Sequence, residues 1–350
     1  MIKGMTMNKR TACALVLGCL PVLALAQNQI EAASAPAPAQ QAADAPEPVA
    51  ARILVSGKRP GPGLWKVSKG DHVMWVFGLY SPLPQKMEWD AARVERLVAQ
   101  SQEVLKVPGV SVGTSSVFGT LAALPGLIGV KKNPDGATLH DVLPAEVYAR
   151  WQALKGKYIG DDDGVERYRP FFASEELVEA GLKKNGLVKS VEVRKQIEKI
   201  ASKNDIKLTD TGIAVTIDNP RRAVSEFKQS QIDDTACFVK TLDRFERDID
   251  AIRTRANAWA NGNIAEIRNI DYAEREDACN HAMFSGSFAR NNAQLQGLLE
   301  RRQGVWLKAA ETALDKNKAT FAMLPMSEVI GPKSFLAVLQ EKGYTVESPK

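Results

Sequence analysis

The feature that most constrains this chain is its first segment. Lys9 and Arg10 precede an uncharged, largely apolar run from Ala12 to Leu25, and Ala24-Leu25-Ala26 sets small residues at the two positions that signal peptidase reads before Gln27. This is the layout of a secretory signal peptide, so the remaining chain is expected to fold in the periplasm or outside the cell, where thiols are oxidised. A transmembrane anchor is the bland alternative, but the run is shorter than the about 20 apolar residues that span a bilayer, and Pro21 interrupts it. Lipidation at Cys19 ranks behind cleavage, because Leu17 is bulky where such sites take a small residue. Methionines at 1, 5 and 7 leave the start codon open.

Export also explains the charge. The 350 residues carry 46 Lys and Arg against 41 Asp and Glu, but Lys3, Lys9 and Arg10 leave with residues 1–26, so the mature balance is 43 against 41. No face rich in Lys and Arg and no aromatic-basic alternation suggests a nucleic-acid surface. No later stretch approaches the about 18 consecutive apolar residues of a membrane span. With 45% hydrophobic and 25% charged residues the chain has the composition of a folded globular protein.

Two cysteines remain after Cys13 and Cys19 depart, Cys237 and Cys279. An even pair in an oxidising compartment predicts a disulfide, tying two helical segments. Buried free thiols are the alternative. A metal site using His281, two residues after Cys279, lacks the paired Cys or His spacing that metal sites use.

From Gln27 to Ala50, 17 of 24 residues are Ala, Pro or Gln, too polar and small to offset chain ordering. Three segments are therefore expected: signal peptide 1–26, a disordered linker 27–51, and a single domain 52–350. Leu64 to Val67, a Lys69-Gly70-Asp71 turn, and Val73 to Phe77 read as a hairpin. Apolar positions from Trp89 to Leu105 at spacings of three, four and seven predict one amphipathic helix. A strand at Val110–Val112 precedes an apolar stretch from Val117 to Val130. Helices follow at Pro144–Lys157, Pro170–Lys183 and Val191–Ser202, with Pro144 and Pro170 in first-turn positions. Strands at Ile206–Leu208 and Ile213–Ile217 lead to helices through Phe227, over Thr235–Ala260 and over Asn292–Leu314. The chain closes with strand Thr320–Leu324, helix Lys333–Lys342 and strand Tyr344–Glu347. The fold class expected is α+β, a mixed sheet with many peripheral helices.

Residues that usually mark an active site are scarce. No Walker loop, dinucleotide glycine fingerprint, nucleophile elbow or H-E-x-x-H occurs. Of three histidines, His72 falls in the hairpin turn and His140 beside Asp141 at a helix start, both ordinary surface settings. Asp161-Asp162-Asp163-Gly164 lacks the alternating acids and distal Glu of a calcium loop and reads as a polar turn.

Gly63-Leu64-Trp65-Lys66-Val67, then Val73-Met74-Trp75-Val76-Phe77-Gly78 and the Trp89 helix, resemble the opening of the TraB/GumN family of exported proteins, which is related to the Tiki proteases. Ala256 to Asn263 resembles the family's Ala-Trp-x-x-Gly-Asp element. Glu300-Arg301-Arg302 before Trp306-Leu307 resembles its Arg-Asn helix, and Thr320 to Val346 its closing strand-helix-strand. The likeness runs from Arg52 to the C-terminus and implies a mixed sheet of Tiki-like type.

The resemblance implies a metal-dependent hydrolase, but the motifs depart from it. The G-T-x-H motif reads Gly78-Leu79-Tyr80-Ser81, with Ser81 in place of the histidine. The G-x-x-H-L-x-G motif reads Pro325 to Gly331, with Glu328 at the second histidine. The Arg-Asn pair reads Arg302-Gln303, and the family's glutamate position falls near Lys106 or Val107, with Glu103 the nearest acid. Serine is a poor ligand and one Glu supplies one strong site.

Three readings follow. The leading one is a catalytically degenerate family member, a pseudoenzyme of a bacterial envelope, needing no cofactor and binding a peptide, a polysaccharide or an envelope protein. In the second, Ser81, Glu328, Glu103 and Arg302 converge as a rewired hydrolase holding a hard divalent metal such as Mg²⁺ or Ca²⁺ through oxygens. The third is a partner-interaction protein using helices near Phe238–Trp259 and Leu295–Trp306. Ser81 as a nucleophile ranks lower, since no sequence motif supplies a base. N-terminal sequencing of the exported protein is expected to begin at Gln27; a start before Ala26 would return the anchor reading.

Overall fold

A computed structural model describes residues 61–349, apart from 115–120, 122–123, 248, 269–271 and 332. The expected signal peptide, the linker and Cys19 lie outside the described residues, as does part of the 117–130 stretch.

The core is built on two segments that are apolar almost without interruption. β1 (Leu64–Lys69) and β2 (His72–Leu79) form the expected hairpin, paired antiparallel from Leu64↔Phe77 to Lys69↔His72. β9 (Ala319–Pro325) lies parallel to β2 from Val73↔Ala319 to Leu79↔Pro325. Phe321 to Leu324 in β9 and Val76 to Leu79 in β2 are all buried, as strands covered on both faces must be. β4 (Glu103–Leu105) pairs parallel with β9, β7 (Lys207–Thr209) extends the sheet beyond β4, and β10 (Thr345–Glu347) pairs antiparallel with β1. The order β10-β1-β2-β9-β4-β7 is therefore a mixed sheet flanked by helices, an α+β fold as expected. Two small sheets stand apart, β3 (Leu83–Pro84) with β6 (Leu187–Val188) and β5 (Val110–Thr114) with β8 (Ile213–Ile217).

The helix expected over Trp89–Leu105 is corrected. Helix Ala92–Ala99 ends at Gln100, Ser101 Oγ turns back to Leu97 O at 2.7 Å, and the chain re-enters the sheet as β4. Three apolar or small positions fit either period, and the open edge of β9 decided for the strand. The run expected over Thr235–Ala260 is described as two helices, Thr235–Arg247 and Ile249–Ala260. Helix Leu298–Lys316 starts later than Asn292 because Gly297 enters with φ +56°. Pro170 opens its helix, Pro170–Lys184, whereas Pro144 caps Ala145–Tyr158 from outside. Helices Val191–Lys203 and Tyr272–Ser285 complete the elements used below.

Packing divides into a sheet-centred core and a helical one. In the first, Phe77 meets Trp89, Trp259 and Phe321 at ring distances of 5.8 to 6.2 Å. The second gathers Trp151, Phe238 and Phe245 with the leucines of helices Ala145–Tyr158 and Pro170–Lys184. Phe238, Phe245, Trp259 and Trp306 are thus core residues, which removes the aromatic anchors from the helical partner surface. Asp162 accepts from Gly164 N at 2.8 Å and Asp163 from Lys155 Nζ at 2.8 Å, so the aspartate run is a polar turn.

Cys237 and Cys279 form a disulfide with Cα atoms 4.6 Å apart, joining helices Thr235–Arg247 and Tyr272–Ser285. In the loop-entropy model a bridge of this span contributes about 3 to 4 kcal/mol. Replacing both cysteines by alanine is expected to lower the unfolding free energy by about that amount in urea titration; an unchanged midpoint would mean that the bridge is energetically idle.

Candidate functional site

Three parallel strands, β2, β9 and β4, end on the same edge of the sheet, where open α/β sheets place their ligands. Ser81 follows β2, Glu328 follows β9, and Pro108 follows β4. Pro325 ends β9 and caps the single turn Met326–Val329, which carries Glu328. Met326 seats that turn on β2: a Cβ at Gly78 would lie 2.7 Å from Met326 Cε and 2.9 Å from its Sδ, so a larger residue there would have to displace the Met326 side chain. Gly78 O accepts from Trp259 Nε1 at 2.8 Å inside the core. Gly262, at φ +71°, brings the turn after Trp259 against the backbone of Gly61 and Gly63. The two glycines and Trp259 therefore hold the site's floor.

Arg302, on helix Leu298–Lys316, crosses this floor. Its Nη2 donates to Glu328 Oε1, and its Nη1 donates to Pro108 O at 3.4 Å, linking the loops after β9 and β4. The guanidinium lies 5.8 Å from the Phe335 ring centre. Burial pushes the Glu328 carboxyl above its ordinary value, with Arg302 opposing the rise. Glu328 Oε2 and Arg302 Nε are buried and have no hydrogen-bond partner among the described residues.

Ser81, Arg302 and Glu328 line one cleft of about 500 Å³. Ser190 N donates to Ser81 Oγ at 3.4 Å. The far wall comes from the helical core: Glu175 on Pro170–Lys184, Arg244 and Phe245 on Thr235–Arg247, and Arg275 on Tyr272–Ser285, with Lys189 at the rim. Arg275 Nε donates to Thr241 Oγ1 at 2.9 Å and its Nη2 to Glu175 Oε1 at 2.6 Å. Sequence reasoning missed this wall, because its charges are spread over separate helices with no motif spacing to join them.

Glu103 is the correction. It stands at the start of β4, the opposite end of the sheet, where it accepts from Lys207 Nζ at 2.7 Å, from Thr209 Oγ1, and from Asn317 Nδ2 at 2.9 Å. Burial would raise its carboxyl, but these donors outweigh that and leave it lowered. Lys106, nearer the family's glutamate position, faces Asp210 at 3.8 Å. His72 bonds Leu314 O at 2.6 Å and His140 packs on Tyr148, both away from the cleft.

A model of the TraB/PrgY/gumN family matches residues 63–348. This chain belongs to the TraB/PrgY/gumN family. No curated protein and no solved structure is matched. Within this family the expected chemistry would need a divalent metal, and the residues present do not fit one. At the motif positions the donors are one carboxylate already bonded to the Arg302 guanidinium and one hydroxyl, and the other cleft carboxylates, Glu175 and Glu276, are each paired with Arg275. Among the described residues, no three or more of His, Cys, Asp and Glu gather as a metal would require.

The raised Glu328 carboxyl fixes a sign. A folded-state value above the unfolded 4.5 means that the native protein holds this proton longer, so the contribution is present below pH 4.5 and lost as pH rises through the folded value. Glu328→Gln is expected to remove that fall from a melting-temperature profile taken upward from pH 4.5; an identical slope in the variant would show that Arg302 compensates the buried charge fully.

Proposed function

We propose that this chain is an exported TraB/PrgY/gumN-family protein without the family's metal chemistry, acting as a binding or accessory module of a bacterial envelope. One observation carries the reading: Glu328, at the position of the second motif histidine, is engaged by Arg302 rather than available to a metal. An arginine beside the carboxylate neutralises the charge that would attract a divalent cation, and Ser81 supplies no comparable ligand.

The cleft supports binding rather than turnover. Its lining pairs apolar side chains, among them Val178, Leu182, Phe245 and Phe284, with fixed charges on both walls. Such a mixture suits a peptide segment of an envelope protein better than a polysaccharide, because apolar walls take side chains while the charges meet polar backbone and termini. Glu328 Oε2 and Arg302 Nε are the groups a ligand would satisfy.

The test is the metal content and peptidase turnover of the purified exported protein, with Glu328→Ala as control. We expect no stoichiometric metal and turnover indistinguishable from the variant. Stoichiometric metal with activity lost in Glu328→Ala would make the chain a rewired hydrolase instead.

A further inference from the structure

Between Lys106 and Lys131 the chain carries no charged residue. Within this stretch Leu121, Leu124, Leu127 and Ile128 are 56%, 49%, 45% and 79% exposed. Large apolar side chains grouped this densely on a surface mark a contact. Residues 124–127 form one helical turn, and Val130 N donates to Leu127 O at 3.0 Å as the chain turns back.

The exposure is not that of a frayed end, because the base of the segment is anchored. Arg169 N donates to Lys131 O at 2.8 Å, Arg169 Nε to Lys132 O at 3.2 Å, and Asn133 Nδ2 to Tyr168 O at 2.9 Å. The same buried arginine donates through Nη2 to Phe227 O and Lys228 O, so it ties this base to the end of helix Pro220–Gln229. Val224 of that helix packs against Gly126. A fixed base thus presents an apolar tip.

Cations surround the tip. Lys228 Nζ donates to Ile128 O at 2.6 Å, the Lys132 stem lies over Gly129, and Lys131 pairs with Glu176 at 2.8 Å. Apolar side chains rimmed by lysines are the chemistry of a segment that sinks to the boundary between headgroups and acyl chains while its charges meet anionic headgroups. Among the described residues no helix is long and apolar enough to cross a membrane, so insertion is interfacial. A protein partner would need a complementary apolar groove and gives no role to the lysines.

We propose that Leu124, Leu127 and Ile128 seat this protein on an anionic lipid surface by inserting into it, with Lys132 and Lys228 meeting headgroups. The site is separate from the cleft and does not depend on the reading of it.

The test is flotation of the exported protein, with Cys19→Ala throughout so that no acyl anchor contributes, on phosphatidylglycerol-containing and pure phosphatidylcholine vesicles. We expect binding to the anionic vesicles only, weakened by salt. Leu124→Asp and Ile128→Asp are each expected to reduce the vesicle partition coefficient about tenfold or more, and Lys132→Gln about fivefold. Val305→Asp, an exposed apolar position elsewhere, should leave it unchanged, with melting curves certifying the fold of each variant. Absence of flotation, or flotation indifferent to Leu124→Asp and Ile128→Asp, overturns the proposal. So does a concentration-dependent dimer, without vesicle binding, that Ile128→Asp dissociates.

Discussion

The parallel pairing of β2 with β9 joins two strands that lie far apart in the chain, and the rest of the molecule depends on it. Seven residue pairs from Val73↔Ala319 to Leu79↔Pro325 are set in one register, and a slip of one residue would exchange the two sets of side chains packed on opposite faces of β9. Because both strands run the same way, the loops after them emerge on the same edge. Ser81 and Glu328 are neighbours in a cleft for that reason alone. The helices inserted between the strands must then pack around this pair, and Trp259 locks one of them by its hydrogen bond to Gly78 O.

The same pairing makes the architecture independent of which residues follow the strands at the site. Gly78, Trp259 and Gly262 do structural work: close approach of Met326, a buried indole donor, and a tight backbone crossing. None of these depends on a metal ligand. The side chains at Ser81 and Glu328 can vary without disturbing them, and in this chain Arg302 pairs with Glu328. A partly buried ion pair carries a desolvation cost, and the raised Glu328 carboxyl is the sign of it.

Much of the sequence reading survives because it rested on local physics. The hairpin is legible from β-branched and aromatic residues around Lys69-Gly70-Asp71, and the helix starts from Pro144 and Pro170. The reading failed where two periods coincide. Ser101, Val104 and Leu105 continue the 3.6-residue spacing of the preceding helix, yet the last two belong to a strand, because β9 offered an unpaired edge that no local pattern reveals. Glu103 was singled out by nearness in the chain, and strand direction sent it to the far end of the sheet.

By itself the sequence determined the mixed sheet with peripheral helices, the family and the two cysteines that pair, since each depends on residue type or short-range spacing. Only the tertiary structure decided that Arg302 grips Glu328, that Glu103 is excluded, and that Glu175, Arg244 and Arg275 form the opposite wall. Those facts depend on which strand ends share an edge and how separate helices cross it, and such long-range geometry has no counterpart in local spacing.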